Sequence, residues 1–234
     1  MNNKKIDYAR VVYNQKSIPL TSYPKKLVKH LIRKFNLKEG SSLLELGPAR
    51  GDFLFEFFKK NFKISAVDIS DYVKELCPNI DFKTANLENE KIPFNDNSFD
   101  IVYTKSFVEH FYHPEKIFKE IFRVLKPGGK IITLTPHWKF MSKFFYEDYT
   151  HRTPFTIESI NYIQQVSGFK NINSYNFRQL PIIWNFSFLV FFSELTRIFL
   201  PDSLGKKFKW VRFSKEVMIL SKAEKPNNIL YDNL

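Results

Sequence analysis

Cysteine is almost missing from this chain: Cys77 stands alone among 234 residues. One thiol cannot close an internal disulfide and offers no Cys/His spacing for structural zinc, which suits a reducing cytoplasm and leaves Cys77 as packing. The amino terminus, MNNKKIDYAR, lacks the apolar core of a signal peptide, so export is not expected. Glycine is scarce, with only 7, yet Gly47 and Gly51 share one turn and Gly128 and Gly129 another. Acid is short of base, and the net charge is +12. Residues 1–39 hold ten Lys or Arg against Asp7 and Glu39. Arginine itself is thin, 8 against 28 lysines, a bias away from the bidentate forks that favour phosphate and base recognition. Nucleic acid is therefore the less favoured partner, although a basic arm can meet it.

What is present is an alternating pattern. Residues 42–46 are short and apolar, as a buried parallel strand requires, and they run into Glu45-Leu-Gly47, with Gly51 opening an aromatic-rich helix over 51–60. Glycines at such a turn accept positive φ, and the free N–H groups of the new helix attract a carboxylate or phosphate. The next apolar run, 63–68, ends on Asp68, an acid placed to accept from both hydroxyls of a ribose. Together they read as a nucleoside-cofactor site. The spacing departs from G-x-G-x-x-G, which weakens a nicotinamide or flavin assignment. Helix 71–77, strand 80–85, strand 99–104, helix 114–125 and strand 130–135 continue the alternation. The pattern predicts an α/β fold with a doubly wound, Rossmann-like sheet that takes ligands at its carboxyl ends, where Glu45, Asp68, Asn86 and Lys105 fall.

Glu45-x-Gly47-x-x-x-Gly51 resembles the first motif of class I S-adenosylmethionine-dependent methyltransferases, with Asp68 where that family carries its ribose-binding acid. The similarity continues in order through Asn86-Leu-Glu, Ile92-Pro-Phe-Asn-Asp-Asn-Ser-Phe-Asp100, Phe107-Val-Glu-His110 and Leu125-Lys-Pro-Gly-Gly129. It implies S-adenosyl-L-methionine as cofactor, held by Glu45, Gly47, Gly51, Asp68, Ile69, Asn86, Leu87 and Lys105. It also implies a helix at 156–167, a strand at 169–176 and a last antiparallel strand at 216–221. Ala49 stands where relatives often carry a middle glycine, at a cost of about 1 kcal/mol if positive φ is required. Asn86 replaces a frequent Asp but keeps an acceptor oxygen for the adenine amino group. Arg50 fits two places equally, beside the cofactor carboxylate or in solvent.

A hydroxyl acceptor needs a base, and five histidines are available. His30 lies on a basic helix begun near Ser22 and Pro24, whose apolar face carries Leu27, Val28, Leu31, Ile32 and Phe35, and is set aside. His110 and His113 follow strand 99–104, and His137 follows strand 130–135 beside Trp138. The segment 147–156 gathers Asp148, His151 and Arg152, and resembles more loosely a segment of methyltransferases associated with cell-surface polysaccharide and glycolipid synthesis. His151 or His110, with Asp148, are thus the catalytic candidates; a structural role for His110 and for the whole segment stays open. Asp148 and His151 alone are too few to suggest a metal. The expected function is O-methylation of a sugar or lipid-linked glycan, with an RNA acceptor or a catalytically silent binding protein as the alternatives.

One domain is expected over 1–234: a basic arm and helix (1–39), a cofactor core (40–176), an apolar insert (177–214), and the last strand and tail (215–234). The insert's run LPIIWNFSFLVFF is too short to span a bilayer. Three settings fit it: a membrane interface, with Trp184 and its aromatic neighbours inserted and Lys206, Lys207, Lys209 and Arg212 near headgroups; a substrate lid; or core or homodimer packing. The first would place a cytoplasmic protein peripherally, through residues 180–212, on the inner membrane face.

Overall fold

A computed structural model describes residues 7–227. Lys4 and Lys5 of the basic arm, and the tail from 228, lie outside the described residues. Strands β1 (Ser42–Leu46), β2 (Lys63–Asp68), β3 (Asp81–Thr84), β4 (Phe99–Lys105), β5 (Leu125–Pro136), β6 (Lys170–Arg178) and β7 (Val217–Glu224) form one sheet in the order β3-β2-β1-β4-β5-β7-β6. β1 to β5 pair in parallel, and β7 lies antiparallel between β5 and β6, the mostly parallel sheet the sequence predicts. Strand order reverses between β1 and β4, so a crevice opens outside their carboxyl ends.

The helices are α1 (Tyr8–Val12), α2 (Tyr23–Phe35), α3 (Asp52–Phe58), α4 (Pro114–Val124), α5 (Trp138–Met141), α6 (Ile157–Val166), α7 (Pro181–Asn185), α8 (Leu189–Phe199) and α9 (Lys209–Lys215). On one face of the sheet α2 lays Leu27, Val28 and Leu31 against Leu43, Tyr103 and Phe57 of α3. On the other, α4 and α6 cover Val102 and Ile131 with Ile117, Phe118, Ile121 and Ile160. Both faces are dry, which is why β1 reads as an unbroken apolar run.

Two expectations need correction, and one element is unforeseen. The predicted helix 71–77 is a single 3-10 turn, Asp71–Glu75. The Lys-Pro-Gly-Gly segment does not precede its strand: β5 begins at Leu125 and bulges, pairing Phe99 with Leu125 and then Ile101 with Lys130. Lys225 lies at this bulge: its ammonium donates to the Phe122 and Leu125 carbonyls at 2.8 Å and ties the end of α4 to β5. Helix α1, capped by the Asp7 side chain, has no counterpart in the sequence reading.

Candidate active site

The β1–α3 turn makes three positive-φ steps, at Gly47 (+67°), Ala49 (+48°) and Gly51 (+89°). At Gly47 the need is steric as well: a Cβ there would lie 2.3 Å from the Phe107 ring. Ala49 adopts the left-handed conformation that makes alanine costly, so Ala49→Gly should raise stability by about 1 kcal/mol, or about 2–4 °C in Tm. A thermal melt that fails to rise removes that reading. The turn is tied to β2 by Asp68, which accepts from the N–H groups of Ala49 at 3.1 Å and Ser70 at 3.0 Å. Burial pushes the Asp68 carboxyl up, partly offset by those two amides.

Beside this turn opens a cavity of about 310 Å³, lined from the sheet by Gly47, Asp68, Ile69, Asn86, Leu87 and Phe107. The amino-terminal segment adds Asp7, Tyr8 and Tyr13 to the lining, and His110 and Thr150 complete it. A smaller hollow of about 80 Å³ shares Gly47 and Ala49 and holds Glu45, Arg50 and Lys105. Glu45 is buried with Oε2 unpartnered, and burial, then Asp52, pushes its carboxyl up to about 8. Burial holds Lys105 below the ordinary lysine value despite Glu109 and Glu45 nearby.

Arg50 is not in solvent: it lines the smaller hollow beside Glu45. It is buried, forks onto Asp52 at 2.6 and 2.8 Å, and donates to the Tyr13 and Ile18 carbonyls at 2.8 Å. Its N–H groups thus bind the amino-terminal segment to the cofactor turn. Gly51 starts α3 and faces Val73 rather than the cavity. The Asn86 oxygen accepts the Glu88 N–H at 3.2 Å, so an adenine amino group would have to share it.

A second cluster stands at the cavity's edge. Asp148 accepts from the Thr150 hydroxyl at 2.5 Å and from Tyr8, and Thr150 Oγ1 lies 2.9 Å from His110 Nδ1. Because the Thr150 hydroxyl hydrogen goes to Asp148, His110 Nδ1 must be the donor in that contact, which leaves a lone pair on Nε2. His151 packs its ring 4.9 Å from that of His110, with Nδ1 2.5 Å from the Phe145 carbonyl. Burial, then His151, lowers the His110 pKa, so the imidazole is neutral at pH 7. Glu109 completes the group: Thr135 donates to one carboxyl oxygen at 3.0 Å, the other is buried without a partner, and burial pushes the acid up to about 7. Glu109, His110 and His151 can each bring one ligand-type atom within 4.8 Å of the other two.

The other histidines serve the fold. His137 is buried and accepts the Lys139 N–H at the start of α5, His30 stacks on Trp184, and exposed His113 lies 3.3 Å from Glu115. Burial pushes the Cys77 thiol up to about 11, so it is inert at neutral pH. Tyr8, Thr150 and Glu109 are site residues the sequence reading did not single out; of these, only Glu109 and Thr150 carried a signal, as immediate neighbours of His110 and His151.

Residues 44–133 match the family described as a methyltransferase domain. The chain is 32% identical over 140 residues to an uncharacterized protein of Methanocaldococcus jannaschii, covering 56% of this chain and 65% of that one. It is 29% identical over 113 residues to phosphoethanolamine N-methyltransferase 1 of Arabidopsis thaliana, covering 44% of this chain and 23% of the relative. The chain thus spans less than two thirds of the length of these relatives. The structure of Haemonchus contortus phosphoethanolamine N-methyltransferase 2, solved with phosphomonomethylethanolamine and S-adenosylhomocysteine, superposes with a TM-score of 0.64 at 19% identity, over 93% of this chain and 58% of that one, a likeness of fold alone. Taken with the turn, the acid ending β2 and the sheet order, these matches identify the stretch from β1 into β5 as a class I, S-adenosylmethionine-dependent methyltransferase domain.

Proposed function

We propose that the protein transfers a methyl group from S-adenosyl-L-methionine to a hydroxyl of a sugar or lipid-linked glycan. The residues around the cavity fit this cofactor. The unpartnered Glu45 Oε2 suits the ammonium of its methionyl end, and Gly47 lines both hollows, with the Phe107 ring close against it. Asp68 keeps lone pairs beyond its two backbone donors for ribose hydroxyls, and Ile69 and Leu87 offer apolar contact to adenine beside the Asn86 amide. Bound there, the cofactor supplies a methyl already activated on a sulfonium.

The chain must then align the acceptor, exclude water and take a proton from it. The observation that carries the hydroxyl reading is the Asp148–Thr150–His110 relay, which fixes the His110 ring against the cavity. Glu109 and His151 stand beside that ring. Tyr112 and Tyr149 stand exposed near the cavity, Tyr149 packing on Tyr8 and Tyr112 lying under the Arg152 guanidinium. Phenol faces of this kind suit the C–H face of a sugar ring, with hydroxyls for its oxygens.

Incubation with methyl-labelled donor and separated polysaccharide, glycolipid, RNA and phosphoethanolamine fractions tests the assignment. The expected product is a sugar methyl ether, identified by mass spectrometry. Label only in RNA rejects the glycan acceptor, and label on an amine rejects the hydroxyl assignment. Cofactor binding without label in any fraction favours the silent binding protein.

A further inference from the structure

Helix α8 is turned inside out. Its polar side chains face the protein: Ser193 donates to Ser214 at 2.9 Å in a buried contact, Glu194 pairs with Arg178 and Arg197, and Trp210 donates to Thr196 at 2.8 Å. Its apolar side chains face outward. Phe188, Phe191, Phe192, Leu195, Ile198 and Phe199 recur at helical spacing and are 36–74% exposed. A helix on a water-soluble surface has the opposite arrangement, and a contiguous apolar stripe of this kind marks a face that something covers.

Charge decides what covers it. Between α8 and α9 the exposed Phe208 is flanked by exposed Lys206, Lys207 and Lys209, none of them ion-paired among the described residues. A self-complementary dimer across this face would bring copies of the same basic turn together, on a chain of net charge +12. Anionic headgroups would instead meet the lysines while the acyl boundary takes the phenylalanines. α8 has 11 residues, and among the described residues no helix is long and apolar enough to cross a membrane. We propose that the outward face of α8, with the lysine-rich turn beside it, seats this protein in the interfacial plane of an anionic lipid bilayer. Trp184, expected in that interface, packs against β6 instead: it is half-buried, stacks on Phe177 and donates to the Arg178 carbonyl at 2.8 Å. Arg212 is engaged by Glu216.

Flotation of the full-length protein with phosphatidylcholine vesicles, with and without phosphatidylglycerol, tests this. The protein should float with the anionic vesicles. Phe191→Ser combined with Phe199→Ser should cut partitioning by about ten-fold or more. Lys206→Glu, Lys207→Glu and Lys209→Glu together should weaken it and flatten its salt dependence. All these side chains are exposed, so unchanged melting temperatures show that the variants fold. Wild-type protein left in the soluble fraction, or a phenylalanine variant that floats as well as wild type, overturns the proposal. So does a dimer in sedimentation that the phenylalanine variant dissolves while vesicle binding is absent, which assigns the face to a second copy.

Discussion

His110→Ala should lower kcat by about 10²- to 10⁴-fold while leaving the Kd for S-adenosylhomocysteine nearly unchanged. His110 lines the same cavity as Asp68 and Asn86, so the unchanged Kd is what separates loss of the proton acceptor from loss of a cofactor contact. The pH profile carries the sign. The base works only when neutral, and activity is lost as pH falls through its pKa. Burial and His151 place that pKa below the ordinary 6.5, so the acid limb of kcat should lie below the usual imidazole range and the rate should be flat through pH 7. Thr150→Val should give a smaller loss, because it releases the Nδ1–H that fixes the tautomer. Wild-type turnover by His110→Ala would end the base assignment and leave the ring a positioning role.

Asp68→Ala should weaken cofactor binding by about a hundred-fold, measured by calorimetry. The carboxylate is asked to do two things: hold the Ala49 and Ser70 amides and accept from the ribose. Hydrogen bonds to a charged acceptor contribute about 1.5–3 kcal/mol each, so losing the ribose contacts and loosening the turn together account for that factor. Asp68→Asn should do little better, since its NH₂ group would face one of the two backbone donors that the carboxylate now satisfies. Undiminished affinity in both variants would put the ribose elsewhere.

The cofactor turn is legible because its chemistry is local. Gly47, Ala49 and Gly51 sit where a strand must reverse into a helix, and the strain at Ala49 follows from the residue type once the turn is recognised. Asp68 is legible for the same reason, as the acid that ends the second strand. The acceptor side is less so. Nothing in the composition of the amino-terminal arm says that Tyr8 reaches Asp148, 140 positions away, and the relay through Thr150 depends on a loop whose path no periodicity describes. Arg50 could be read only as a charge in a loop; its acceptors are carbonyls 37 and 32 positions distant. For α8, the apolar run is plain but its facing is not. The direction is chosen by Ser193, Glu194 and Thr196, whose partners lie on α9, β6 and the helix itself.

Arg50 also couples two parts that a ligand would need to separate. Its guanidinium clasps the carbonyls of Tyr13 and Ile18 from within the nucleoside-binding turn, and the clasped strap roofs the chamber with Tyr8 and Tyr13. A donor entering or leaving on that side must unlatch the strap on every cycle. Loosening that latch with Arg50→Ala should therefore speed exchange of the donor and weaken its retention, read as a faster off-rate and a higher Kd in stopped-flow binding.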